Sequence, residues 1–144
     1  MPSCYFLTVC AGSSVDQQTN NVTLFNLIEQ ITAPPGVPAP PRGLLPLEIH
    51  AYFSLRGQEL GQGFEVRYVL VADSGLEHPS ETFSHRSPTP HLRTRTAGLP
   101  FPPVAGSYVL RVDWRMGSEQ GWRREPIAWP MLVVEAQPPP AVTH

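Results

Sequence analysis

The chain has 144 residues, near the usual size of one domain, with 41% hydrophobic and 15% charged side chains and a net charge of −2. That is enough chain to bury a core without metal or disulfide staples, and too apolar and aromatic for a disordered segment. All ten basic residues are Arg, which excludes lysine chemistry such as Schiff bases or a phosphate-loop ammonium, and the charge gives no drive towards nucleic acid or an acidic membrane.

Tyr5 to Val9 is the first predicted strand, flanked by Cys4 and Cys10. On one extended strand those cysteines lie about 20 Å apart, too far to bridge, and their even separation puts both on one side. They read as reduced, buried thiols of a cytosolic protein. Leu7-Thr8-Val9-Cys10 loosely resembles a lipoprotein cleavage box, but no basic residue precedes it and the apolar stretch is too short for a signal. Val22 to Ile31 is the second strand, although Glu29 to Thr32 also fits a helix. Asn21-Val22-Thr23 matches the glycosylation sequon, which without a secretory signal is a chance match. Pro34 to Pro41 is an extended connector, too rich in proline for a helix or a central strand.

The middle of the chain alternates with period two, the mark of strands buried on one face. Leu47, Ile49, Ala51, Phe53 and Leu55 alternate with Glu48, His50, Tyr52, Ser54 and Arg56; Phe64, Val66, Tyr68 and Leu70 alternate with Glu65, Arg67, Val69 and Val71. Glycines join these two runs, which read as a hairpin. Glu81 to His85 and His91 to Thr96 are short and polar and are broken by Pro79, Pro88 and Pro90, as edge strands are. Pro100 to Pro103 is a second connector. Tyr108, Leu110, Val112 and Trp114 then alternate with Val109, Arg111, Asp113 and Arg115, the first set facing the core and the second facing out. This strand forms a hairpin with the segment starting at Trp122, and Trp129 to Glu135 is an apolar closing strand. Residues 138–144 form a proline-rich tail beyond a single domain of residues 1–137. The predicted fold is all-β: an antiparallel β-sandwich of seven or eight strands, immunoglobulin-like or C2-like.

The ordering resembles a family of small, functionally uncharacterised bacterial proteins predicted to be β-sandwiches. The likeness rests on the strand Val22-Thr23-Leu24-Phe25-Asn26-Leu27-Ile28-Glu29-Gln30-Ile31, the proline-rich bridge Ala33 to Pro41, the amphipathic strand Leu47 to Leu55, and Gly106-Ser107-Tyr108-Val109-Leu110-Arg111-Val112. It covers most of the chain, implies a sandwich, and supplies no catalytic residues.

Catalytic signals are missing. There is no Gly-x-Ser-x-Gly elbow, and Gly61-Gln62-Gly63 is followed by Phe64 rather than a helix start, so it reads as a turn. His50, His78, His85, His91 and His144 make no pair at metal-ligand spacing, and a site joining them to Cys4 or Cys10 would need the fold to assemble it. The protein is therefore expected not to be an enzyme and to need no cofactor or metal. Arg93 with Arg95, Arg111 with Arg115, and Trp122-Arg123-Arg124 form a candidate basic, tryptophan-flanked patch able to hold an anion or small ligand. The plainer reading is a solvated face paired with Glu65, Asp113, Glu119 and Glu125, and the net charge favours it. The expected function is a non-catalytic, cytoplasmic interaction or assembly module. Its partner is another protein or a second copy, with no nucleic acid and no membrane.

Overall fold

The structure is a computed structural model that describes residues 2–33, 46–100 and 102–135. The Pro34–Pro41 connector and the tail at 138–144 lie outside the described residues. Ten strands follow in chain order: β1 (Ser3–Val15), β2 (Val22–Leu27), β3 (Gln30–Ala33), β4 (Glu48–Ser54), β5 (Phe64–Ala72), β6 (Glu77–Pro79), β7 (Phe83–His85), β8 (His91–Ala97), β9 (Gly106–Met116) and β10 (Arg123–Glu135), with one 3-10 turn at Gly57–Glu59. A four-stranded sheet of order β2-β1-β4-β8 packs on a six-stranded sheet of order β3-β10-β9-β5-β6, in which β7 also pairs β5. This is the β-sandwich that the alternation predicts. Pairing is antiparallel throughout except for β3, which runs parallel to β10.

The core is built from the predicted faces. Leu7, Val9, Ile49, Ala51 and Phe53 of the smaller sheet meet Phe64, Val66, Tyr68, Leu70, Tyr108, Leu110, Val112, Trp114, Met131 and Val133 of the larger. Phe53 and Phe64 touch edge to face at 5.5 Å, and the Tyr68 and Thr94 hydroxyls lie 3.3 Å apart across the gap. The buried Tyr68 hydroxyl thus has a partner, and Thr94 in turn donates to the Ala51 carbonyl at 2.7 Å.

Four expectations are corrected. Runs 47–55 and 64–71 do not form a hairpin: β4 pairs with β1 and β8, whereas β5 pairs with β6, β7 and β9. The 3-10 turn, with Gly57 and Gly61 at positive φ, carries the chain from one sheet to the other. The strand expected at Val22 to Ile31 divides, because Asn26 takes a left-handed conformation (φ 53°) and β3 crosses to the second sheet. That split, with β6 and β7 as separate short strands, raises the count from seven or eight to ten. Cys4 and Cys10 do not share a side. The register of β1 against β4 shifts between Cys4 and Phe6, so Cys4 joins the core while Cys10 stands opposite Glu48 on the outer face. Asp113 faces outward as expected but is fully buried, beneath Arg67 and the 13%-exposed side chain of Arg111.

The second half of β1 runs on past the end of β4. Ser3 to Cys10 pairs with β4, and Cys10 to Val15 pairs with β2, so the hairpin β1–β2 is an arm. Its turn is held by Asp16, whose Oδ1 accepts from the backbone of Gln18 and Thr19 at 2.8 and 2.9 Å. The tip is exposed but tied down: the Asn20 carbonyl accepts from Arg93 Nη1 at 2.8 Å. Arg93 stands in the row of Tyr52 and Phe6. A straight β1 would carry Asp16 ten residues, about 33 Å, beyond that row. The arm therefore doubles back over the outer face of the smaller sheet, and Ser13 Oγ donates to Glu48 Oε1 beneath it at 2.8 Å.

Leu110→Ala should cost about 2–5 kcal/mol, as a large-to-small change in a packed core. The exposure of Arg111 expected from alternation predicts almost no loss on its removal; its bonds to the buried Asp113 predict about 1–3 kcal/mol for Arg111→Ala. Urea denaturation of both variants distinguishes the two, and an Arg111→Ala loss within about 0.5 kcal/mol would show that Asp113 does not depend on it.

Candidate functional site

The seven candidate residues do not form one patch. Arg93 and Arg95 lie on β8 of the smaller sheet; Arg111, Arg115, Arg123 and Arg124 lie on β9 and β10 of the larger, with Trp122 just before β10. On the larger sheet the guanidinium groups are matched to carboxylates. Arg111 makes two bonds to Asp113 at 2.8 and 3.0 Å and one to Glu77 at 2.9 Å. Arg67 reaches Asp113 at 3.2 Å, Arg124 reaches Glu77 at 3.2 Å and Arg115 reaches Glu65 at 3.4 Å. Arg67 and Arg115 both lie over the Trp122 ring, 4.5 and 4.2 Å from its centre, so Trp122 is a platform for two cations rather than a core residue. Arg123 takes Glu119 through two bonds, at 3.0 and 2.8 Å, and borders a cleft of about 420 Å³ with Trp114, Met116 and Pro2. The expected partners Glu65, Asp113 and Glu119 are confirmed. Glu125 instead accepts from the Trp114 indole at 2.7 Å. The hydrogen bond from Arg111, helped by the charges of Arg111 and Arg124, outweighs desolvation and lowers the pKa of the Glu77 carboxyl.

The outer face of the smaller sheet gathers a different set of groups. Period two puts Glu48 and His50 of β4 on that face, opposite Cys10 and Thr8 of β1 and Ala97 and Arg95 of β8. Such positions are normally wet, yet Cys10 is 0% exposed and His50 3%, and the arm is tied to this face by the Ser13–Glu48 and Asn20–Arg93 bonds. Glu48 is the centre. Its Oε1 accepts from Ser13 and lies 3.0 Å from His50 Nε2, and its Oε2 pairs with Arg95. The Arg95 bond, with smaller contributions from His50 and Ser13, outweighs the cost of burial and holds the Glu48 carboxyl at about 2. The Cys10 thiol donates to the Gly12 carbonyl at 3.3 Å, and burial and the Glu48 charge push it up.

One atom each of Cys10, Glu48 and His50 could ligate a metal, and these atoms lie within 4.8 Å of one another. Spacing alone missed this cluster, since Cys10 and His50 are forty residues apart. A signal was present: Glu48 and His50 share a strand face by alternation, a Glu-x-His pair on a strand. What the sequence withheld was the β1–β4 register and the roof. His85 and His91, the two histidines nearest in sequence, stand on different sheets, in keeping with the absence of a pair at ligand spacing.

No family model matches the chain, and no curated protein matches it. The likeness in element order to small bacterial sandwich proteins therefore rests only on the residues quoted for it. Among the described residues no helix is long and apolar enough to cross a membrane.

Because Glu48 is held at about 2 in the folded chain, below its value when unfolded, its contribution to stability is present above roughly pH 4.5 and is lost as pH falls towards 2. Glu48→Gln should flatten that part of the stability profile. Denaturation midpoints of both proteins between pH 6 and 2 check this, and parallel profiles would remove Glu48 from the acid response.

Proposed function

We propose that the protein is a non-catalytic, cytoplasmic interaction module that takes up a partner strand along β8. The observation that carries this reading is the position of β8 at the end of its sheet. All seven of its residues pair with β4 on one side, and no described strand lies on the other. A free edge of this length offers a row of backbone donors and acceptors to another chain. Pro88 and Pro90 stop short of it, so the strand itself carries no proline guard. Other edges serve less well. At the smaller sheet's opposite edge β2 pairs with β1 only from Cys10 to Val15, and β1 lies against β10 of the other sheet, whereas β3, β6 and β7 have four, three and three residues.

The outward side chains of β8, His91, Arg93, Arg95 and Ala97, are exposed, and its two arginines would set partner choice and association rate more than affinity. The partner is another protein or a second copy of the chain; with a net charge of −2, nucleic acid is not expected. Two free, buried cysteines suit a reducing compartment. The alternative, an anion or ligand site built on the arginine–tryptophan face, is disfavoured because those guanidinium groups already face carboxylates. An enzymatic reading is disfavoured because Cys10, a thiol beside a histidine and a carboxylate, is fully buried.

Hydrogen exchange tests the edge, measured with a partner captured from the native host and on the chain alone at rising concentration. Protection gained over residues 91–97 is expected. Protection confined to Trp122 and its neighbouring arginines would move the interface to the opposite sheet face and refute the reading.

A further inference from the structure

We propose that Cys10, Glu48 and His50, roofed by the β1–β2 arm, form a binding site for a divalent cation of the zinc class. The donor set comes first. A thiolate, an imidazole and a carboxylate together suit zinc or its neighbours in the transition series, and do not suit magnesium or calcium, which take oxygen ligands. The geometry is close to what such an ion needs. Two ligand atoms about 2.0–2.1 Å from one tetrahedral centre lie roughly 3.3 Å apart. His50 Nε2 and Glu48 Oε1 are 3.0 Å apart, and the donor atoms of all three residues lie within 4.8 Å of one another. Cys10 and Glu48 are directly opposed across β1 and β4, and His50 is two residues along the same face, so rigid sheet backbone fixes all three.

A second observation points to a ligand independently. Thr8 stands opposite His50 on that face and is 2% exposed, and its Oγ1 has no hydrogen-bond partner. Buried hydroxyls are nearly always satisfied. A metal-bound water or hydroxide in the fourth position would give Thr8 its partner and complete the tetrahedron. The surroundings also match a metal site's outer shell. The Ser13 hydroxyl and the Arg95 guanidinium bind the Glu48 carboxylate and orient it. Charge balances as well: the thiolate and carboxylate neutralise the ion, and Arg95 remains outside as the carboxylate's second partner. On binding, the Cys10 thiol releases its proton to solvent and gives up its bond to the Gly12 carbonyl; His50 gives up its Nε2 bond to Glu48, the Nε2 proton passing to Nδ1 or, from a charged ring, to solvent, so that the neutral ring offers Nε2 to the ion.

The same three residues could be read as a nucleophile, base and acid. The burial of Cys10 argues against this, since no substrate can reach it while the arm is in place. The site is enclosed on the sheet side by β1 and β4 and on the solvent side by the arm, so the ion acts as a clasp and enters during folding or when the arm lifts. A bound ion here would depart from the sequence expectation that no metal is needed.

The test uses the full chain without an affinity tag. Cobalt(II) is added during refolding and, separately, to the folded protein. One equivalent should bind with an intense thiolate-to-cobalt absorption that zinc abolishes, that excess magnesium leaves intact, and that zinc binding matches with a rise in melting temperature. Cys10→Ser should remove the band and Cys4→Ser should keep it. Should Cys10→Ser not fold, Ser13→Ala replaces it: this variant keeps all three ligands and should weaken cobalt binding roughly 10–100-fold. A folded wild-type chain without the thiolate band overturns the proposal, as does a band that survives Cys10→Ser or an affinity unchanged in Ser13→Ala.

Discussion

A strand that is apolar on one face must lay that face against another sheet, and this constraint organises the whole molecule. Ile49, Ala51 and Phe53 on one side and Val66, Tyr68, Leu110 and Val112 on the other leave no alternative to two sheets sharing one core. Everything distinctive then happens on the two outer faces, where the same alternation puts Glu48, His50, Arg67, Arg111 and Asp113. Each face meets the demand for partners differently. The larger sheet links charges sideways, from Arg124 through Glu77 and Arg111 to Asp113 and Arg67, with Trp122 covering the end. The smaller sheet covers its charges with a piece of its own first strand.

That difference explains why one face reads as structure and the other as a candidate site. The network of the larger sheet is closed around Asp113, which is fully buried with its two oxygens shared between Arg67 and Arg111, although Arg115 Nε further along β9 has no hydrogen-bond partner. A buried carboxylate satisfied in this way stabilises the sheet and leaves nothing for a ligand. Under the arm, satisfaction is incomplete. Glu48 has three partners, but Thr8 has none, and the Cys10 thiol settles for a carbonyl on its own strand.

The legible part of the fold was the part that depends on alternation alone. Tyr108, Leu110, Val112 and Trp114 are buried, and the β9–β10 hairpin forms as the glycines before Trp122 suggest. Alternation says which face of a strand is buried but not against which neighbour, so it could not separate a hairpin from a crossover between sheets at Arg56 to Gly63. The position of Cys10 was lost for a related reason. One irregularity between Cys4 and Phe6 reverses the phase of everything after it. The arm was invisible because it depends on a contact between Asn20 and Arg93, seventy-three residues apart, and on no local pattern. Arg95 was identified, but as part of a basic patch; its partner Glu48 was assigned to solvent because an outward residue on a strand usually is.

Arg95 joins the two functional readings. Its side chain is 58% exposed on the outermost strand, yet it holds Glu48 at the centre of the buried cluster. A partner strand docking along β8 with an acidic residue opposite Arg95 would draw the guanidinium outward and leave Glu48 with Ser13 and His50. An ion at Cys10, Glu48 and His50 relies on the same bond, because Arg95 belongs to the outer shell that orients the carboxylate. A partner that draws Arg95 away would therefore weaken the ion's hold, and by linkage the ion would weaken that partner's binding by the same factor. The coupling needs no movement of the sandwich core, because the bond concerned lies between two side chains on neighbouring strands.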